Sequence, residues 1–194
     1  RRQNHRRLEQ VALSLDTGVV LRLDQIRKLV EPGLLHDVVE CDHLRLLPDI
    51  LSLNLHANQI QTIYGLDRLT HLSELDLSDN SIEKVSGLDS LVCLKMLNLS
   101  SNSISEITPT DMASLVSLRH LNLSYNMLQS LSFLSAFANK ESSLQELFFH
   151  GNQISHVQST CQVLDCTKTL ERITIADNPI TSSAETIFAS CAHI

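Results

Sequence analysis

This 194-residue chain lacks most of the short motifs that announce chemistry. It has no glycine-rich phosphate loop, no nucleophile elbow and no zinc-ligand spacing, so neither an enzyme nor a cofactor is expected. No apolar run approaches the roughly 18 residues of a membrane-spanning helix, and no membrane partner is expected. The five cysteines, Cys41, Cys93, Cys161, Cys166 and Cys191, are odd in number and form no C-x-x-C pair. That favours reduced thiols in an intracellular setting over a disulfide framework. Positive charge is also scarce, with a net charge of −7. Four cations (Arg1, Arg2, Arg6, Arg7) crowd the start, and without them the rest of the chain carries −11. A broad nucleic-acid face is therefore not expected, and the basic tip reads as a solvated tail. The chain opens on Arg1, with neither Met nor an apolar signal region, as it would if a native targeting signal had been cut away.

What is present first looks like a cation site. In "LSELDLSDNSIEKVSGLDSL" (72–91), Asp76, Asp79 and Asn80 fall close together. A calcium loop starting at Asp76 would need glycine at its sixth position and a bidentate glutamate at its twelfth. Those positions hold Ser81 and Gly87. The same pattern recurs instead as a repeat: "ILSLNLHANQI", "LSELDLSDNSI", "LKMLNLSSNSI", "LRHLNLSYNML", "LQELFFHGNQI" and "LERITIADNPI". All share the template L-x-x-L-x-L-x-x-N-x-L/I, with Ile or Phe in place of leucine at a few of its apolar positions. The asparagines are Asn58, Asn80, Asn102, Asn126, Asn152 and Asn178, at spacings of 22, 22, 24, 26 and 26.

Each unit explains itself physically. The second and third apolar residues, such as Leu75 and Leu77, alternate as in a strand and point into a core. The residues between them face the other way. Stacked units give a parallel sheet with strands about 4.7–4.9 Å apart. The asparagine sits where the chain turns inward, and its amide can both donate to and accept from backbone that the turn would otherwise leave unpaired. A second apolar pair, such as Ile82 and Val85, closes the core from the convex side.

This template is similar to the leucine-rich repeat. The fold expected is an α/β leucine-rich repeat solenoid, a horseshoe with a parallel concave β-sheet, a 3₁₀/helical convex side and helical caps. Residues 1–22 read as a basic, partly disordered tail, and 23–49 as an N-terminal cap. In that cap "LDQIRKLVEPG" forms a short helix and "VVECDHLRLLP" a degenerate repeat. Residues 50–180 hold six repeats, and 181–194 start a C-terminal cap helix. "TDMASLVSL" and "SFLSAFANKESSL" are expected to form helical turns on the convex side. The abrupt end at Ile194 is expected to continue in a longer protein.

The continuation "NQIQTIYGLDRL" and "NSIEKVSGLDSL" resembles the 22-residue repeat class of intracellular scaffolds. Extracellular leucine-rich repeat proteins usually carry disulfide-bonded caps, which are not evident here. The sequons Asn98-Leu-Ser100 and Asn122-Leu-Ser124 fall within the strand pattern and read as by-products of the repeat. "LNLHANQI", "LRHLNLSYNML" and "LFFHGNQISHVQSTCQVLDCTKTLERITIADNPI" resemble the leucine-rich repeat and coiled-coil centrosomal proteins. That resemblance implies a cytoplasmic scaffold at the centrosome or cilium base, followed by a coiled coil, with a centriolar or tubulin-related protein as partner. A phosphatase-targeting subunit and a ribonucleoprotein component that clasps an RNA-binding protein are the alternatives.

For catalysis the candidates are His56, His120 and His150 with Glu74, Asp76 or Glu146. His56 and His150 stand four strands apart, about 19 Å by strand spacing, and cannot share a proton or a metal. For binding, Phe148 interrupts a row of Asn54, Asp76, Asn98, Asn122 and Thr174. With Tyr125 and Met96 it is expected to form an apolar spot rimmed by His120, Glu146 and His150, the pattern of an interface anchor. Glu74 and Asp76, with Asp79, form an acidic spot that reads more readily as a solvated face. The expected partner is another protein rather than a small-molecule substrate.

Overall fold

The computed structural model describes residues 20–22, 50–138, 142–155 and 169–180. Among these residues, seven short strands run in sequence order in one parallel sheet. They are β1 (Val20–Arg22), β2 (Ser52–Asn54), β3 (Glu74–Asp76), β4 (Met96–Asn98), β5 (His120–Asn122), β6 (Glu146–Phe148) and β7 (Arg172–Thr174). The register aligns the central leucines: Leu53 pairs with Leu75, Leu75 with Leu97, Leu97 with Leu121 and Leu121 with Leu147. Each of these is at most 1% exposed, and they belong to one continuous core running from Ile50 to Ile180. Burying one such side chain stabilises by about 1.5–3 kcal/mol.

The sheet starts earlier than expected. Val20–Arg22 lies in the stretch read as a partly disordered tail, yet it pairs with β2, Leu21 opposite Leu53. "LRL" (21–23) supplies the L-x-L of the template, whereas Ile26 stands where the asparagine would be. The remainder of 1–22, the expected cap at 23–49 and the cap helix at 181–194 lie outside the described residues. So do Cys41, Cys161, Cys166 and Cys191.

On the convex side the repeat length selects the local structure. The 22-residue units are linked by isolated parallel bridges, Thr62 to Lys84 and Lys84 to Glu106. They turn at glycines: Gly87 has φ +68, and a Cβ there would sit 2.7 Å from the Ile63 carbonyl oxygen. The longer units use helical turns, in line with the expected convex side. Pro109 opens α1 (Pro109–Met112), and the Thr108 N–H donates to Asp111 Oδ2 at 2.7 Å. A 3₁₀ helix, η1 (Ser132–Phe137), inserts Phe133, Leu134 and Phe137 into the core. No helix among the described residues is long and apolar enough to cross a membrane.

Candidate protein-interaction face

The asparagines hold the repeats in line. The Asn102 amide nitrogen donates to the carbonyls of Leu77 (3.0 Å), Leu99 (3.1 Å) and Ser100 (3.2 Å), while its oxygen accepts the Ile82 N–H at 2.9 Å. Asn80, Asn126, Asn152 and Asn178 likewise bond both to their own turn and to the preceding repeat. Asn58 donates to Leu55 and His56 carbonyls. The residue before each asparagine takes the left-handed conformation. It is Ala57, Asp79, Ser101, Tyr125 or Asp177 at φ 55–56, and Gly151 at φ 65. The strain is therefore built into the repeat rather than peculiar to one site.

Three rows of side chains cover the concave face. The first runs Ser52, Glu74, Met96, His120, Glu146, Arg172, in register from strand to strand. Ser52 Oγ donates to Glu74 at 3.1 Å. Glu146 is held from both sides, Oε2 by His120 Nδ1 at 2.7 Å and Oε1 by Arg172 at 2.5 Å. Met96 stays 44% exposed.

The second row is Asn54, Asp76, Asn98, Asn122, Phe148, Thr174. Its four amide or carboxylate oxygens each accept the backbone N–H two residues on, at 3.0–3.2 Å. Phe148 breaks this row and is half-buried. In the third row His56 Nδ1 lies 2.9 Å from Ser78 Oγ, and His150 Nδ1 lies 2.9 Å from Ser124 Oγ.

The eight residues expected to bind are thus brought onto four adjacent strands and the turns that follow them. Glu74, Met96, His120 and Glu146 share one row, and Asp76 and Phe148 share the next. Tyr125 differs from the inner-face position expected of it: it stands on the left-handed turn beyond β5, 56% exposed, edge-on to the His150 ring at 4.7 Å. Phe148 ends β6 two residues before His150, so an aromatic ring precedes the Tyr125–His150 pair along the chain. Sequence reasoning named His120 and Glu146 but missed their pairing and the second clamp from Arg172. Strand register would have placed the three in one row, but the contacts also depend on their rotamers. Among the described residues, no group of three or more His, Cys, Asp or Glu side chains could hold a metal.

Comparison with known proteins agrees with this architecture. A family described as Leucine rich repeat matches residues 86–128, and another described as Leucine Rich Repeat matches 71–91. No curated protein matches the chain. An internalin (InlF) from Listeria monocytogenes superposes with a TM-score of 0.61 at 25% identity over 72% of this chain. The functional domain of InlJ from the same organism, which includes a cysteine ladder, gives 0.55 at 21% over 69%. This chain spans only 41% and 26% of those two chains. The fold is shared by 361 solved chains, a breadth that separates architecture from function.

Proposed function

We propose that this leucine-rich repeat protein is a non-catalytic interaction module that binds another protein through its concave face. The observation that carries the reading is the Tyr125–His150 ring pair, with the half-buried Phe148 two residues before His150. Tyr125 is exposed yet held in place by His150, while Met96 and the His120–Glu146–Arg172 cluster form the first row of the same face. A preorganised aromatic with a polar rim loses little rotamer entropy on binding, which is why such groups anchor interfaces. Glu146 has both oxygens engaged, by His120 and Arg172, so this part of the face is held before a partner arrives.

The cellular setting rests on the resemblance of "LRHLNLSYNML" and its neighbours to the centrosomal repeat proteins. On that basis the module is an intracellular scaffold at the centrosome or cilium base, with a centriolar or tubulin-related partner. A pull-down from cell extract, read by mass spectrometry, compares the wild type with a Tyr125→Ala/Phe148→Ala variant whose fold is checked by circular dichroism. Centriolar or tubulin-related proteins should bind the wild type and disappear with the variant. Recovery of a phosphatase or splicing protein would reject the centrosomal assignment, and binding unchanged by the variant would reject the face.

A further inference from the structure

The second concave row carries a chemical order that its own hydrogen bonds define. In Asn98 the amide oxygen accepts from the Ser100 N–H and Oγ, at 3.2 and 2.8 Å. In Asn122 it accepts the Ser124 N–H at 3.1 Å. A backbone N–H can only donate, so these contacts fix the amide orientation and turn both Nδ2 groups outward. Asn98 and Asn122 are register partners, which makes them a pair of free donors on adjacent strands. One strand earlier Asp76 spends Oδ1 on the Ser78 N–H and Oγ. Its second oxygen remains an acceptor, beside Glu74 in the next row.

Among the described residues no cation pairs with Glu74 or Asp76, whereas Glu146 is already paired with Arg172 and hydrogen-bonded to His120. One strand past Asn122 stands the apolar Phe148. Read along the sheet, the row offers an anion, then two donors, then an apolar ring.

The complement follows. Resting on the interaction-module reading above, we infer that β3–β6 recognise an extended segment of a partner protein that sets a cationic side chain on Asp76, a carboxylate on the Asn98/Asn122 amides and an apolar side chain on Phe148. One carboxylate can accept from both amides, and such charge-assisted bonds are about twice as strong as neutral ones. The step from Asp76 to the middle of the amide pair, and from there to Phe148, is about 7 Å by strand spacing. Alternate residues of an extended chain repeat at about 6.4–6.8 Å. The segment therefore reads cation-x-carboxylate-x-apolar, crossing the strands.

The probe is a fixed-orientation array of soluble peptides Lys-x-Glu-x-Leu with polar residues at x, made also in every permuted order and with Lys and Glu exchanged. Binding to the full 194-residue chain is measured by anisotropy, and the side-chain amide resonances of Asn98 and Asn122 are followed by NMR. The stated order should bind at least about tenfold tighter than the permuted peptides and shift both amide signals. In an Asn98→Asp/Asn122→Asp variant the central preference should change from Glu to Lys. Asp76 already fills this row while keeping its turn bond, so the variant retains the fold.

Equal binding of all orders, no binding, or a variant that keeps its preference for Glu would overturn the inference. If that happens while Tyr125→Ala/Phe148→Ala still loses its cellular partner, the interaction-module reading survives without this segment. Loss of both results removes the concave face altogether.

Discussion

The ring of Tyr125 occupies the space where Gly151 has no side chain: a Cβ built on Gly151 would lie 2.5 Å from Tyr125 Cδ1 and 3.0 Å from Cε1. The neighbouring turns carry Ala57, Asp79 and Ser101 in the same left-handed conformation, so the repeat tolerates a Cβ there. Gly151 is glycine because Tyr125 lies over it.

Gly151→Ala should therefore push the Tyr125 ring off His150 and cost more than left-handed strain alone, which is about 1–2 kcal/mol. In a Tyr125→Ala background the same change should cost measurably less. A double-mutant cycle by urea denaturation gives the coupling, expected at about 0.5–3 kcal/mol for residues in contact. Additive costs would show that the ring is not held against Gly151.

The asparagine column yields a second test. Asn126 is 7% exposed, donates to the carbonyls of Leu99, Leu123 and Ser124, and accepts the Ile104 N–H. Asn126→Ala leaves the Ile104 N–H without its acceptor, at about 1–3 kcal/mol, while the carbonyls of Leu99, Leu123 and Ser124 keep the Asn102 amide, the Asn152 amide and the Ser101 N–H. Asn126→Asp keeps an acceptor for Ile104 but turns a carboxylate oxygen toward the carbonyls. It should be at least as destabilising as the alanine change, and a milder Asp variant in denaturant melts would contradict the bonding pattern.

The charged cluster should behave differently. Arg172 has 66% of its side chain exposed and Glu146 19%, so water and salt screen the attraction. Glu146→Gln should cost no more than about 1 kcal/mol, the usual limit for exposed ion pairs. The cost should shrink further in high salt, where screening is stronger. A loss well above that limit, unchanged by salt, would mean that the cluster is shielded from solvent.

The contrast between these sites shows what a sequence discloses. Six repeats were legible because each carries an apolar-x-apolar pair, L-x-L in four of them, and the asparagine three residues on, and both are fixed by burial. β1 escaped because it has L-x-L without asparagine, 32 residues ahead of its partner in register. The concave rows could be read from alternation alone, since side chains on a strand change face at every residue. The lean of Tyr125 onto Gly151 could not: it depends on a left-handed turn and on the missing Cβ of another repeat. Glu146 needed the rotamers of two neighbours as well as their register.

Stability in a stacked array should also be graded along the sheet. Leu121 is fully buried at the centre of β5, between Leu97 and Leu147. Leu121→Ala should cost about 2–5 kcal/mol through lost burial and the cavity left behind. Each repeat touches only its neighbours, so the damage should spread by contact rather than uniformly. Hydrogen–deuterium exchange should show amides of β4 and β6 losing most protection, and those of β2 and β7 least. Uniform loss across all the strands would instead show that the sheet opens as a single cooperative unit, in which case the continuous core dominates over the nearest-neighbour interfaces.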